Sequence, residues 1–328
     1  MITSIKYYIS EGTNPYYNLA IEQHLLEDIQ EGCCILYLWQ NQNTVVIGRN
    51  QNPWKECRTT ELDEDGGHLA RRLSGGGAVY HDLGNLNFTF LVPTLDYDLD
   101  KQLNVITEAC ALLGIKTERS GRNDLLADGR KFSGNAFYEQ GEHSYHHGTL
   151  LVDADMSRLS KYLKPSAAKL SAKGVDSVRS RVINLKELDR ELTIDEMKAA
   201  MLQAFSRVYG VPMGPVNEDQ LDKARIEELY KINASWEWRY GRRLPFSFQC
   251  SDRFSWGELE LQLQIESGII KAAEVYSDAM EWDFTGELKR KLEGKRFSLA
   301  SIIAAAEELS CSSQIREDII KMLTKQEI

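Results

Sequence analysis

Three consecutive glycines, Gly75-Gly76-Gly77, interrupt a stretch that otherwise reads as two strands, 68–73 and 86–92. Without Cβ atoms such a run neither extends a helix well nor packs as a strand, and it reaches φ values that other residues avoid. The chain must turn here with its backbone open to close approach. N–H groups exposed in such a turn can form a nest for an anion. The neighbours suit that chemistry: Arg71-Arg72-Leu73-Ser74 precede the run and Ala78-Val79-Tyr80-His81-Asp82 follow it. Arginine makes charge-assisted bonds to phosphate or carboxylate. The segment is not a P-loop, because the GxxxxGKS/T pattern is absent, and no GxGxxG opens a helix. On composition alone a plain strand connection fits the same residues.

Mixed periodicity surrounds this loop. A strand is expected over 5–9, and Asn14-Pro15 opens a helix with Leu19, Leu25, Leu26 and Ile29 on one face. Ile35–Trp39 and Thr44–Gly48 read as strands. Helical spacing recurs over 98–113. Asp128-Gly129 is a hairpin signal inside a β-rich stretch, 123–152, and Asp155 caps a short helix that ends before Pro165. The segment 166–182, with Lys169, Lys173, Arg179 and Arg181, reads as a basic, mobile loop. Helices are expected at about 193–208 and 218–233. Beyond 240–250 the texture changes. Glu258 to Ile265 alternates strictly, Ser267-Gly268 turns the chain into Ile269–Tyr276, and helical patterns fill 284–293, 298–309 and 313–325. The 328 residues support about two domains. The expected class is α+β, with a large domain at 1–245 and a small α+β domain at 246–328.

A formal net charge of −10 argues against a general nucleic-acid binder. No run approaches the roughly 18 apolar residues of a membrane span, and MITSIKYYIS is not a signal peptide. The expectation is a cytoplasmic protein. Cys33, Cys34, Cys57, Cys110, Cys250 and Cys311 follow no disulfide framework and form no CxxC pair, so reduced thiols and no structural zinc are expected.

Two further constellations carry chemistry. Gly121-Arg122-Asn123-Asp124 is followed by Lys131-Phe132-Ser133-Gly134-Asn135-Ala136. The ammonium of Lys131 is a compact charge suited to a carboxylate and an α-phosphate, and Asp124 suits Mg²⁺ held through water. A solvated lysine and a turn aspartate are the bland alternative. His146-His147-Gly148-Thr149-Leu150-Leu151 places two histidines on one strand. Strand neighbours point to opposite faces, so one is expected to be buried and the other to face a pocket, with no metal between them. A Ser74/His81/Asp82 triad lacks the GxSxG elbow.

Taken together, these segments resemble the lipoate–protein ligase A family over nearly the whole chain. The resemblance runs from Asn14-Pro-Tyr-Tyr-Asn-Leu-Ala-Ile-Glu through 71–85, GRNDLL (121–126), RKFSGNA (130–136), HHGTLL (146–151) and AAKLSAKGVDSVRSRVINL (167–185). It implies a mixed α/β catalytic domain related to biotin ligases, with mixed sheets flanked by helices, followed by the smaller accessory domain. It implies ATP with Mg²⁺ and lipoate as ligands, with adenylation followed by lipoyl transfer. By resemblance, Arg72, Gly77, Ala78, Val79, Tyr80, Asp124, Lys131, Lys173, Gly174 and Val175 contact the nucleotide or adenylate. Arg72, Ser74, Gly75, Gly76, Lys131, His147 and Gly148 border lipoate. Lys131 is the catalytic residue, Asp124 the metal-side carboxylate, and 167–183 a loop over the nucleotide. The implied partners are lipoyl domains of 2-oxoacid dehydrogenases and glycine-cleavage H protein. Two alternatives stand beside this reading: a lipoyl or octanoyl transferase working through a cysteine thioester without ATP, and a lipoate-binding sensor or carrier.

Overall fold

The computed structural model describes residues 1–121, 124–164, 182–217, 219, 221–241 and 246–326. Strands are β1 Ser4–Ile9, β2 Cys33–Trp39, β3 Thr44–Ile47, β4 His68–Arg71, β5 Val79–His81, β6 Asn85–Pro93, β7 Thr117–Ser120, β8 Asp124–Ala127, β9 Arg130–Gln140, β10 His143–Leu151, β11 Met213–Pro215, β12 Phe248–Phe254, β13 Gly257–Glu266 and β14 Ile269–Ser277. The main sheet has eight strands in the order β11-β1-β2-β6-β10-β9-β8-β7. Its β11, β1 and β2 run parallel, and the remaining pairs are antiparallel. A small sheet, β4-β3-β5, carries the glycine run between β4 and β5. The fold is α+β with mixed sheets flanked by helices.

Every residue of β2 is buried, because both faces of the sheet are covered. Leu36 and Leu38 point into one apolar cluster with Phe88, Phe90 and the helix Ile194–Tyr209. Ile35, Tyr37 and Trp39 point into another with the helix Pro15–Glu27. The helix starts obey local chemistry. Asn14 accepts from the N–H groups of Tyr16 and Tyr17, with Pro15 in the first turn. Thr193 and Glu196 form a capping box, and Gly210 ends that helix at φ +64°. The helix expected from 218 begins at Lys223, because Asp222 is its cap. Among the described residues no helix is long and apolar enough to cross a membrane.

The C-terminal strands β12-β13-β14 form their own sheet. Leu259, Leu261 and Leu263 face a separate core with Phe284, Ile302 and Ile319. Ser267 and Gly268 adopt φ +51° and +75°, the twist a two-residue hairpin needs, and Asp128-Gly129 does the same at +50° and +69°.

Candidate active site

The β8–β9 hairpin contains one extra residue. Asp124 pairs with Gly134 and Leu125 with Ser133, but Leu126 pairs with Lys131, so Phe132 is a bulge. Positions 131 and 134 would lie on opposite faces of a regular strand. The bulge drives Phe132 into the core and brings Lys131, Gly134 and Asp124 onto one face. A Cβ at Gly134 would lie 3.1 Å from Lys131 Nζ, so the lysine lies across the glycine. Its ammonium donates to Asp124 Oδ1 at 2.7 Å. The carbonyl of Lys131 also accepts from Ile183 N–H at 2.9 Å.

This face opens on a cleft of about 510 Å³. Its buried wall combines apolar Leu19, Trp39 and Val46 with polar Arg72, His81, Asn87 and His147, all almost fully buried. Its open side is charged, with Asp124 and Lys131 each about 36% exposed. Arg253, Asp278 and Met280 of the C-terminal region complete the wall.

The three glycines have three different surroundings. A Cβ at Gly75 would sit 2.2 Å from the Ala279 carbonyl oxygen. Gly76 has φ +89°, and its N–H donates to Ala279 at 3.2 Å. A Cβ at Gly77 would meet no atom within 4 Å, and that position lines the cleft. The two arginines, the last residue of β4 and the one after it, also diverge. Arg71 is fully committed to backbone carbonyls: Nε to Trp238 at 2.7 Å, Nη1 to Arg49 and Gln51 at 2.8 Å, and Nη2 to Arg239 at 2.9 Å. It staples the loop after β3 to the helix Trp236–Tyr240 and does not line the cleft. Arg72 does line it. Its Nη2 donates to the carbonyls of Gly75 and Gly77 at 2.8 Å and so holds the shape of the glycine run. Burial pushes both guanidinium pKa values down to about 10, which still leaves them charged near neutral pH.

A buried polar chain runs behind the cleft. Arg72 Nε donates to Ser74 Oγ (3.0 Å), Ser74 lies 2.8 Å from His147 Nε2, and His147 Nδ1 lies 2.9 Å from Glu22 Oε1. Thr89 donates to the same carboxylate oxygen at 2.6 Å and accepts from Trp39 Nε1 at 3.2 Å. Ser74 and Glu22 thus hold the two ring nitrogens of His147 from opposite sides. The spacing is that of a Ser-His-acid triad, but Ser74 is fully buried and its oxygen is held by Arg72. It orients the site and is not a nucleophile. The triad weighed from the sequence does not form, since His81 pairs with Asn41 and Asp82 accepts from the N–H groups of Gly84 and Asp155. His146 turns to the other face, stacks on Phe90, and bonds to Asn135 and Gln102.

Two family models cover the chain: that of the lipoyl protein ligase A/B catalytic domain matches residues 14–206, and that of the bacterial lipoate protein ligase C-terminus matches 244–325. The chain belongs to the lipoate–protein ligase A family. It is 40% identical to the lipoate-protein ligase A of Psychrobacter cryohalolentis over 309 residues, covering 92% of this chain and 91% of that one. P. falciparum LipL1, solved in complex with lipoate, superposes with a TM-score of 0.85 at 27% identity, over 98% of this chain and all of that one. A lipoate-protein ligase A bound with ATP superposes with a TM-score of 0.63 at 26% identity, over 74% of this chain and 99% of that one. This chain is an enzyme of the ligase class.

In this ligase the cleft gathers Arg72, Gly76, Gly77, Ala78, Val79, Asp124, Lys131, His147 and Gly148 from the residues named by sequence. Ser74, Gly75 and Tyr80 stand outside its wall. Tyr80 is buried against Tyr162, and its hydroxyl donates to Asn43 at 3.1 Å. Lys173, Gly174 and Val175, with the rest of 165–181, lie outside the described residues. Glu22, Trp39, Arg253 and Asp278 escaped the sequence reading. Trp39 stood there only as the end of an apolar run, and Glu22 only as the last residue of the Asn14–Glu22 segment. No cysteine lines the cleft among the described residues, and burial pushes the Cys34, Cys57 and Cys110 thiols up to about 12. The ligase therefore has no thiolate placed for a thioester.

The C-terminal sheet is held against the loop after β3. Ser277 N–H donates to the Asn50 carbonyl at 2.9 Å, and Asn50 Nδ2 donates to the Trp282 carbonyl at 2.8 Å. The Arg49 guanidinium sits 4.4 Å from the Trp282 ring centroid, and Tyr138 stacks on Trp282 at 5.2 Å. Lys55 pairs with both Glu258 and Glu260.

Proposed function

We propose that the enzyme activates lipoate with ATP as lipoyl-adenylate, releases pyrophosphate, and passes the lipoyl group to a lysine of a lipoyl domain. The gradation of the cleft carries this reading. Buried Leu19, Trp39 and Val46 on one part of the wall and the half-exposed Asp124 and Lys131 on another suit a ligand that is apolar at one end and a carboxylate at the other.

A carboxylate is a poor electrophile. Attack of its oxygen on the α-phosphorus forms a mixed anhydride. The bond from that phosphorus to the bridging oxygen breaks, and its electron pair leaves with pyrophosphate. The site must hold two anions in line and stabilise the charge that grows between them. Lys131 supplies a compact charge for both anions. The glycine-run amides, shaped by Arg72, supply fixed dipoles at Gly77–Val79. In the second half-reaction a lysine amine attacks the acyl carbon and AMP leaves. That amine, with a solution pKa near about 10.4, must first lose a proton.

Mg²⁺ accompanies the nucleotide in this proposal. Among the described residues no three His, Cys, Asp or Glu are grouped to hold a metal. One carboxylate, Asp124, beside phosphate oxygens is a donor set that Mg²⁺ accepts. Its charge would offset that of the phosphates.

The proposed acceptors are lipoyl domains of 2-oxoacid dehydrogenase acyltransferase subunits and glycine-cleavage H protein. In support, a bi-partite lipoate protein ligase of Thermoplasma acidophilum, 27% identical over 75% of this chain, is described together with its E2 lipoyl domain. The proposed setting is the cytoplasm, with 1–245 as catalytic domain and 246–328 as accessory domain. Pyrophosphate release from ATP, with lipoate present and no acceptor, tests the proposal. Release that depends on lipoate supports it. A thioester transferase or a carrier gives none.

A further inference from the structure

We propose that Arg253, on strand β12 of the C-terminal sheet, binds the pyrophosphate portion of the nucleotide in the adenylation half-reaction. The inference rests on the adenylation reading above. It starts from an inventory of charge. Among the described residues, the lysines and arginines lining the cleft are Arg72, Lys131 and Arg253. Arg72 spends its donors on Ser74, Val46 and the glycine-run carbonyls. Lys131 reaches the carboxylate and the α-phosphate. A triphosphate brings further charge, and Arg253 has donors to spare.

The ties of Arg253 are loose. Its side chain is about one-third exposed, and Nη1 lies 3.5 Å from Glu258 Oε2 and 3.7 Å from Asp278 Oδ2. Both carboxylates have firmer partners. Lys55 holds Glu258, and the Glu258 N–H donates to Asp278 Oδ1 at 2.6 Å. A phosphate therefore has only long contacts to displace, and bidentate guanidinium binding to phosphate oxygens is stronger than either.

The direction of the reaction points the same way. An in-line displacement puts the attacking and leaving oxygens on opposite sides of the α-phosphorus. With the acyl tail against buried Leu19, Trp39 and Val46, pyrophosphate departs toward the exposed, charged mouth where Asp124 and Lys131 stand. Arg253 lines that mouth. The sheet that carries it is fixed at the glycine run by the Gly76–Ala279 bond and at Asn50 by Trp282.

Lipoate-dependent exchange of labelled pyrophosphate into ATP, measured on the full-length protein, provides the test. Wild-type exchange comes first; its absence would sink the adenylation reading itself. Given exchange, Arg253→Gln should raise the KM for pyrophosphate about ten- to a hundredfold, the range for one lost charged hydrogen-bonding group. Arg253→Lys, which keeps charge without the fork, should recover part of it. Transfer from pre-made lipoyl-adenylate involves no pyrophosphate and serves as the internal control. An unchanged KM for pyrophosphate in Arg253→Gln overturns the inference. So does equal loss in both half-reactions, which marks a role in docking the sheet.

Discussion

The N–H of Gly76 donates to the carbonyl oxygen of Ala279 across 3.2 Å, so the turn of the glycine run is tied to the segment just after β14. The bond joins a residue that lines the cleft to the C-terminal region.

This relationship separates the glycines experimentally. Gly75→Ala places a methyl 2.2 Å from the Ala279 oxygen and should lift the 277–282 segment off the loop. Faster amide hydrogen exchange over 277–282 is the expected outcome. Gly77→Ala, whose methyl meets nothing, should leave that exchange at the wild-type rate. Equal exchange in the two variants would break the argument. Gly77→Val should instead weaken lipoate and nucleotide binding at least about tenfold by filling the cleft, read by calorimetric titration against an unchanged melting temperature.

Lys131→Ala should lower lipoate-dependent pyrophosphate release by about 10²–10³-fold, the loss typical of one donor aimed at developing charge. Circular dichroism should stay native, since the ammonium is partly exposed and bonds only at the surface of the hairpin. A near wild-type rate would remove Lys131 from the chemistry.

A variant with all six cysteines replaced by Ala or Ser should keep substantial ligation as long as it folds. Five of the six are buried, so the cost appears in the melting temperature. Loss of transfer from one single replacement at an unchanged melting temperature would revive the thioester route.

Acid should destabilise the fold earlier than carboxylate titration alone explains. Burial lowers His81 and His146 to about 3 from an ordinary 6.5. Both are neutral when folded, and the unfolded chain takes up their protons as pH falls below about 6.5. Their stabilising contribution is fully present above pH 6.5, declines as pH falls and levels off below about 3. Melting temperatures measured from pH 7 to 4 should begin to drop near 6.5. A flat profile down to 4.5 would contradict this.

Local chemistry was legible in the residues. Alternation over 258–265, the helix starts at Asn14 and Asp155, and both two-residue hairpins needed only neighbours a few positions away. What pairs over long range was not. Arg71 and Arg72 look alike in sequence, and only their opposite directions at the end of β4 assign one to the scaffold and one to the site. Glu22 sits mid-helix like any solvated glutamate until Thr89 and His147 surround it. Arg253 and Asp278 reach the cleft only because a second sheet docks there, and no periodicity records docking.

The bulge at Phe132 makes the site depend on a count as much as on an identity. Delete Arg130, on the turn side of the bulge, and the hairpin can close in regular register with Phe132 opposite Leu126 and Lys131 opposite the core residue Ala127. Lysine 131 would then face the core side of the sheet and Asp124 would stand alone at the cleft. The number of residues between the turn and the lysine therefore matters to the site as much as the lysine itself.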